Sequence, residues 1–299
     1  MHIRGVWIAD TFAEAFGMRA ARVIVTAVNN RWALEAARKF TGFATSVIGC
    51  KCEAGIEREL TPDETPDQRP GVALLLFAMD TESLGKRLLE RISQTILTCP
   101  TTSCFDGLAT SAERIKTGGL LRAFGDRLQS SKIVGGQRYW RIPVMDGEFL
   151  IQESFGIAKN AVGGGNFLVL AADGASALAA AEAAVEAIAG TGGIIMPFPG
   201  GIVRSGSKIG ARAYKTLPAS TNDAFCPTVR PIAPSSLPEG VNSVLEIVLD
   251  GLDAASIARS MRIGIDAACR PGVIAISAGN YGGKLGPHHF HLRQVIGAP

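Results

Sequence analysis

The chain has 299 residues, of which 47% are hydrophobic and 19% are charged, and its formal net charge is +3. This composition excludes an intrinsically disordered chain, because such chains lack the apolar surface that offsets the entropy of ordering. The balanced charge, without any basic run, argues against a protein that binds nucleic acid.

The start of the chain does not have the pattern of a signal peptide. Asp10 and Glu14 fall where a signal peptide needs an unbroken apolar region. Elsewhere, no apolar stretch reaches the roughly 18 residues that a membrane-spanning helix requires. We therefore expect a cytoplasmic protein.

The first half of the chain alternates between strand and helix patterns. Residues 23–25 are typical of a strand, residues 33–37 of an amphipathic helix, and the apolar run at 71–80 of a further strand. Leucines and isoleucines recur at every fourth position between 82 and 97, which predicts a second helix. A hairpin is expected around the pair of glycines at 135–136.

The second half repeats this order at an offset of 144 residues. Residues 23–25 fall on 167–169, and the alanine-rich residues 33–37 fall on 177–181, although alanine-rich helices also align by chance. A weaker second pair of strand and helix follows in each half. Each half therefore has the order βαββαβ, which is typical of a ferredoxin-like fold.

We thus predict an α/β (α+β) protein made of two pseudo-repeated ferredoxin-like lobes with an added hairpin. The expected boundary lies near residue 150, between an N-terminal lobe at 1–150 and a C-terminal lobe at 151–299. Four prolines between 226 and 238 predict an extended segment there rather than a helix.

The cysteines and histidines allow two interpretations. Cys50, Cys52, Cys99 and Cys104 could form a metal site, but their spacing differs from the repeated C-x2-C pairs of common zinc and iron–sulfur sites. We favour buried, reduced thiols and expect no metal. The histidine cluster at 288–291 could also hold a metal, and we favour the end of a strand.

Three glycine-rich segments, at 163–166, 201–208 and 279–286, lack the order of residues that phosphate-binding motifs need. They are typical either of tight turns or of loops whose backbone N–H groups approach a ligand. We favour ligand loops for the last two. The candidate substrate-binding residues are Asn166, Gly200, Gly201, Arg204, Ser207, Lys208, Asn280, Tyr281 and Lys284.

One carboxylate stands in an apolar strand pattern. Glu246 lies within the sequence Val-Leu-Glu-Ile-Val-Leu and shares a strand face with Val244 and Val248. If that face is covered, desolvation raises the pKa of Glu246 and makes it a proton donor near neutrality. If the face is solvated, Glu246 is an ordinary surface charge.

Eight long segments are distributed along nearly the whole chain, and these are DTFAEAFGMRA, TGFATSVIGCKCEAGIER, ETPDQRPGV, TCPTTSCFD, RYWRIPVMDGEFLI, PFPGGIVRSGSKIG, STNDAFCPT and AGNYGGKLG. In sequence and in order, these segments resemble the formylmethanofuran:tetrahydromethanopterin formyltransferase family. The pI near 8.6 and the abundance of alanine make the chain similar to the bacterial members found in methylotrophs rather than to many archaeal ones.

The resemblance implies an acyltransferase of one-carbon metabolism, in formaldehyde oxidation, which moves a formyl group between the amine of methanofuran and N5 of tetrahydromethanopterin. It implies a two-lobed fold, no tightly bound cofactor or metal, and Glu246 in the position of a strand glutamate that assists proton transfer. It also implies a homo-oligomer (a dimer or tetramer) and hydrolase subunits as partners. The glutamyl residues of methanofuran give a reason for cations at Arg204, Lys208 and Lys284.

Two alternatives remain. The chain could be a non-catalytic structural subunit of a formyltransferase/hydrolase complex, but such a copy would be expected to lose the polar residues that this chain retains. It could also be a pterin- or folate-binding module of another class, which would make the long matches accidental.

Overall fold

A computed structural model describes residues 1–297 and divides the chain into two compact units. The central unit is Met18–Ala161, and the terminal unit combines Met1–Gly17 with the chain from Val162 onward. Both units contain strands and helices, so the predicted α/β class is confirmed.

The strands and helices of the described residues are numbered in chain order. The strands are β1 (His2–Ile3), β2 (Val6–Ile8), β3 (Phe12–Thr26), β4 (Glu53–Leu60), β5 (Gly71–Ala78), β6 (Ser103–Asp106), β7 (Arg114–Ile115), β8 (Ser130–Val134), β9 (Gln137–Val144), β10 (Gly147–Gln152), β11 (Phe155–Gly156), β12 (Ala158–Ala171), β13 (Ile194–Ile195), β14 (Ser207–Ile209), β15 (Ala219–Thr221), β16 (Ser243–Gly251), β17 (Val273–Ser277) and β18 (His288–His291). The α-helices are α1 (Asn30–Thr41), α2 (Val47–Cys50), α3 (Thr81–Arg91), α4 (Thr117–Leu121), α5 (Gly174–Ala189), α6 (Ala254–Ala268) and α7 (Leu292–Gly297).

The central unit is built on an antiparallel sheet in the order β4-β5-β3-β6. Helix α1 connects β3 to the segment before β4, and α3 with its π-helical extension Ile92–Ile96 connects β5 to β6. Strand β5 is buried along its whole length, and Leu74, Leu76 and Phe40 belong to the set of fully buried side chains between the sheet and the helices. This succession and strand order are those of a ferredoxin-like fold.

The expected hairpin is present in the central unit. Strands β8 and β9 pair antiparallel, with Gly135 and Gly136 between them. Both glycines have positive φ (56° and 75°), which matches the primed turns that suit the twist of a hairpin. Strand β9 then pairs with β10, which runs parallel to β6.

The terminal unit repeats the arrangement with the order β13-β16-β12-β17, again antiparallel. Helices α5 and α6 provide the two crossovers, and their buried faces pack on β12 and β16 around side chains such as Phe167, Ile257 and Met261. Strand β2 adds to β17 in parallel, and β18 pairs with the first residues of β3. The histidine cluster thus forms a strand, as favoured from the sequence.

Equivalent polar residues begin the equivalent helices in both units. Asn29 and Asp173 stand 144 residues apart, and the side chain of each accepts a hydrogen bond from the backbone N–H three residues later. Asp80 and Asp253 cap α3 and α6 in the same way. An N-cap of this kind satisfies one of the unpaired N–H groups in the first helical turn. The doubling expected from the sequence therefore extends to the helix starts.

The compact units have other bounds than the predicted lobes at 1–150 and 151–299, and that division into lobes stays a prediction. The boundaries of the units fall inside β3 and β12, so that the first 17 residues join the terminal unit. The reason is strand pairing across the length of the chain, since β2 pairs with β17 and Phe12 to Ala15 pair with β18. Such pairings leave no mark in local composition. Within the described residues, no helix is both long and apolar enough to cross a membrane.

Candidate functional site

A cavity of about 350 Å³ opens in the terminal unit beside the strand that carries Glu246. Its walls come from β12, β16, the end of β17, the segment around β14 and the loop that follows β17. Seven of the predicted site residues line it together, and these are Asn166, Arg204, Ser207, Lys208, Glu246, Asn280 and Tyr281. Gly200 and Gly201 instead lie in a 3-10 turn, Pro199–Gly201, that precedes the cavity wall, and Lys284 is exposed on the following loop.

Glu246 is placed on the cavity wall by pairing on both sides of β16. Leu168 of β12 is its register partner on one side. On the other side, Val203 donates its N–H to the Glu246 carbonyl at 2.8 Å and accepts the Glu246 N–H at 2.9 Å. Burial raises the pKa of the Glu246 carboxyl to about 7. Val244, Glu246 and Val248 are half-buried, so this face lies between the two alternatives left open by the sequence, and Glu246 can both give and take a proton near neutrality.

The glycine-rich loop after β17 is fixed by a residue that the sequence analysis missed. Glu14 of β3 is 1% exposed, and its carboxylate accepts hydrogen bonds from four backbone N–H groups of this loop. Burial alone would raise the pKa of Glu14, but the four hydrogen bonds outweigh burial and lower the pKa to about 2. The loop is therefore folded around an ionised carboxylate, and its N–H groups serve Glu14 rather than an external phosphate.

Two predicted substrate-binding asparagines are engaged with the protein backbone. Asn166 donates from Nδ2 to the carbonyls of Gly164 and Gly279 at 3.1 and 3.2 Å, and its Oδ1 accepts the Gly279 N–H at 2.6 Å. Asn280 donates to Thr11 Oγ1 and to the Phe12 carbonyl, both at 3.2 Å. Their side chains therefore shape the cavity wall, and a contact with substrate stays a prediction for both.

The glycines at 163–165 form no loop. They lie inside β12, where the pairing register with β16 shifts between Val162 and Gly165 and Gly164 has a φ of 86°. The bulge brings Asn166 toward the loop that it binds. Packing also favours glycine at position 201, because a Cβ there would lie 2.9 Å from the Val185 side chain of α5.

Of the two predicted cations on the cavity wall, one is paired within the protein. Lys208 forms an ion pair with Asp223, and Arg212 contacts the same carboxylate at 3.1 Å. The hydrogen bond from Lys208 and the charge of Arg212 hold the pKa of Asp223 below its usual value. Arg204 is exposed and forms no ion pair with any residue of the described chain. Of these two cations, Arg204 is therefore the one whose charge is available to an anionic ligand.

Tyr281 faces the same cavity as Glu246. Its ring lies 6.2 Å from the ring of Phe16, and its backbone N–H binds Glu14. Burial, and then the negative charges of Glu246 and Glu14, raise the pKa of the Tyr281 phenol. The phenol therefore stays protonated at neutral pH and can act as a hydrogen-bond donor.

A second, more apolar cavity of about 600 Å³ adjoins the first. It is lined by side chains that include Leu178, Phe198 and Ile202, and it shares Arg204 and Leu245 with the cavity of Glu246. The two spaces flank the segment 203–205. Polar and apolar parts of one or two large ligands can thus be held on either side of that segment.

The described cysteines are all free thiols, and Cys52 and Cys104 are buried. Among residues 1–297, no group of three or more His, Cys, Asp and Glu side chains is arranged to hold a metal ion.

Comparison with known proteins places this chain in a family. The model described as formylmethanofuran-tetrahydromethanopterin formyltransferase matches residues 1–144, and the model of the proximal lobe of this enzyme matches residues 147–295. A formylmethanofuran–tetrahydromethanopterin formyltransferase of Methylococcus capsulatus is 61% identical over 99% of this chain and 100% of its own length. One subunit of the formyltransferase/hydrolase complex of Methylorubrum extorquens is 51% identical over 99% of this chain and 98% of its own length.

Solved structures agree with this assignment. A chain in the crystal structure of the formyltransferase/hydrolase complex from Methylorubrum extorquens, in complex with methylofuran, has a TM-score of 0.96 at 51% identity and covers 100% of this chain and 99% of its own. The formylmethanofuran:tetrahydromethanopterin formyltransferase of Methanosarcina barkeri has a TM-score of 0.93 at 49% identity, over 99% of this chain and 100% of its own. With such identity along the whole sequence, the chain belongs to the formylmethanofuran–tetrahydromethanopterin formyltransferase family.

Proposed function

We propose that the chain is a formyltransferase that moves a formyl group between N5 of tetrahydromethanopterin and the amine of methanofuran, with Glu246 as the proton-transfer group. The observation that carries the proposal is the position of Glu246 on a cavity wall, with burial that raises its pKa to about 7. The relatives, 49–61% identical over the full length, carry the name of this activity. The two carriers are substrates, and the chemistry needs no resident cofactor.

The reaction requires one proton to move between two nitrogens. The acceptor amine attacks the formyl carbon, a new C–N bond forms, and the carbonyl oxygen becomes an oxyanion at a tetrahedral centre. Protonated Glu246 then gives its proton to the leaving nitrogen as the old C–N bond breaks, and the resulting carboxylate takes the proton that the attacking nitrogen loses. A carboxyl group with a pKa near 7 can carry this proton, because both of its protonation states are populated at neutral pH.

Other polar and charged residues in and near the cavity orient the two carriers. Tyr281, and the hydroxyl of Ser207 on another part of the lining, are donors for the oxyanion or for the polar edge of the pterin. Arg204 and the exposed Lys284 supply positive charge for the glutamyl carboxylates of methanofuran. Lys208 contributes less charge, because Asp223 neutralises it.

We expect Arg204→Ala to raise the KM for methanofuran by about two- to fivefold at low salt, as for an exposed ion pair, with kcat little changed. The difference from the unmodified enzyme should shrink as salt is added, because exposed charges are screened. Steady-state kinetics at two salt concentrations would measure it. Arg4→Ala is the control, since Arg4 pairs with Asp266 on an exposed surface. An equal effect of both variants would remove Arg204 from carrier binding.

The complex from Methylorubrum extorquens suggests the partners. One of its subunits is a close relative of this chain, and we propose that this chain likewise works with hydrolase subunits that release formate, and that it self-associates as a dimer or tetramer. The cytoplasmic location and the absence of a nucleic-acid partner stay predictions from the sequence. The second candidate, a non-catalytic structural subunit, is favoured only by this same membership in a complex.

The proposal is tested by mixing the purified chain with formyl-tetrahydromethanopterin and methanofuran and following the pterin absorbance. Transfer by the chain alone is the expected result. If transfer is absent from the folded chain both alone and after hydrolase subunits are added, the structural role replaces the catalytic one. If transfer requires those subunits, the active enzyme is the complex.

A further inference from the structure

The buried carboxylate of Glu14 forms an unusually complete set of hydrogen bonds. Oε2 accepts the N–H of Tyr281 at 2.6 Å and of Gly283 at 2.8 Å, while Oε1 accepts the N–H of Leu285 at 2.6 Å and of Gly286 at 2.7 Å. Because ionised acceptors make stronger hydrogen bonds than neutral ones, these four bonds specify a single loop conformation.

Besides Glu14, the side chains of Asn280 and His289 each make one hydrogen bond to the backbone of the loop. Gly282 and Gly283 have φ values of 73° and 71°, and Gly282, Lys284 and Leu285 are exposed. Such an exposed, glycine-rich segment has a large conformational entropy when nothing binds it. Glu14, with four hydrogen bonds to the loop, is therefore its main polar attachment.

The fixed loop forms one wall of the cavity that contains Glu246. Asn280 and Tyr281 line that cavity, and the Tyr281 N–H is itself one of the four donors to Glu14. A shift of the Tyr281 backbone would displace part of the cavity wall and expose the half-buried Glu246 further to water. Added water would stabilise the charged carboxylate and lower its pKa.

We infer that Glu14 is a positioning residue for formyl transfer: its carboxylate holds the loop 281–286 so that Tyr281 keeps its place on the wall of the cavity that contains Glu246. Glu14 contacts backbone groups of the protein and acts on the reaction through Tyr281. The inference rests on the proposed function, because it assigns to the loop a role in the reaction of Glu246.

The test compares Glu14→Gln with Glu57→Gln. The glutamine at position 14 keeps the size of the side chain but turns an N–H2 group toward two of the loop donors. We expect kcat to fall about 10- to 100-fold, as for a misplaced catalytic site, with KM changed less than about threefold. We also expect the pH midpoint of activity assigned to Glu246 to move below 7.

Glu57→Gln is the matched control because Glu57 is also a buried carboxylate, bound by Arg22 through two hydrogen bonds of 2.6 Å in the central unit. It should lower thermal stability but leave kcat per folded molecule and the pH midpoint unchanged. If Glu14→Gln behaves in the same way as Glu57→Gln, the role of Glu14 is structural and the inference is overturned.

A measurement on the unmodified protein covers the case in which Glu14→Gln does not fold. Amide hydrogen exchange should be slow at Tyr281, Gly283, Leu285 and Gly286 and fast at Lys284, whose side of the same loop is exposed. Equal exchange at all five amides would overturn the inference. A wild-type chain that shows the protected loop but transfers no formyl group, either alone or with hydrolase subunits, would instead contradict the proposed function.

Discussion

Replacing Glu246 with glutamine is expected to lower kcat by about 100-fold or more, because the amide keeps the shape of the side chain but cannot carry a proton between the two nitrogens. Steady-state formyl transfer by the purified variant measures the effect. Glu186→Gln, on the exposed face of α5, is the control and should retain wild-type turnover. A Glu246→Gln enzyme with unchanged turnover would remove Glu246 from the chemistry.

The pH dependence of kcat/KM distinguishes the loss of Glu246 as a proton donor from a general disturbance of the active site. The protonated form of Glu246 donates to the leaving nitrogen, so kcat/KM of the wild type should fall as the pH rises through about 7. Glu246→Gln has no proton to lose at this position, and its residual rate should be flat across the same range. A variant that retains the wild-type inflection would assign that inflection to another group.

The substitution Glu246→Gln should raise the stability of the protein at high pH while it lowers the activity. The folded protein raises the pKa of Glu246 from 4.5 to about 7, so it favours the protonated form. The stability contributed by that form is complete below pH 4.5 and is lost as the pH rises through 7. Glu246→Gln should therefore be more stable than the wild type at about pH 8, by up to about 3 kcal/mol, and similar to it at about pH 4.5. Thermal unfolding at the two pH values measures the difference.

The variant Glu246→Gln is expected both to gain stability at high pH and to lose turnover. This combination would show that the burial of Glu246 is maintained for function at a cost to the fold, since catalytic groups often occupy unfavourable environments. A lower stability of the variant at both pH values would instead indicate that Glu246 makes a favourable contact in the folded protein.

Glu246 could be identified from the sequence because the pattern that marks it lies within a few neighbouring residues. A single carboxylate in a run of β-branched and aliphatic residues is visible without knowing what covers the strand. The repeated order of strands and helices could be predicted for the same reason, since strand and helix patterns are properties of short segments. The capping pair Asn29 and Asp173 is one such repeated local signal.

Glu14 shows why parts of the site that depend on distant segments of the chain could not be predicted. It also stands in an apolar strand, between Ala13 and Ala15, both fully buried, and this pattern could have marked it as it marked Glu246. Its partners, however, are backbone N–H groups 267 or more residues away along the chain. The pairing of β3 with β18 helps to bring them together, and the sequence contains no local sign of this pairing.

The polar candidates were chosen by residue type, and residue type does not reveal which partner a polar group takes. Asn166 binds the backbone of Gly279, and Lys208 binds Asp223, because a polar group that is removed from water needs a partner inside the protein. Arg204 has the same chemical character as Lys208 but no such partner in the described chain. The distinction between a structural and a ligand-binding cation therefore requires the folded arrangement.

Gly286→Ala is expected to destabilise the protein by about 1–3 kcal/mol or more and to lower turnover at least about tenfold. A Cβ at this position would overlap the carbonyl oxygen of Ala15 and lie 2.9 Å from its carbonyl carbon. These are backbone atoms of β3, and Ala15 is the register partner of His288 in β18, so neither side can move without opening the pairing. Movement of Gly286 itself would break its hydrogen bond to Glu14 and displace the loop that carries Tyr281.

Thermal unfolding and turnover of the Gly286→Ala variant would be measured beside those of Gly192→Ala. A Cβ at Gly192 meets no atom within 4 Å, so that variant should stay within about 0.5 kcal/mol of the wild type and keep its activity. If Gly286→Ala is as stable and active as the control, the close approach of the loop to β3 does not exist in solution. If it is destabilised but fully active per folded molecule, the loop supports the fold without setting the geometry of the reaction. A joint loss of stability and turnover is the expected result, because one residue would both support the strand pairing and hold the cavity wall beside Glu246.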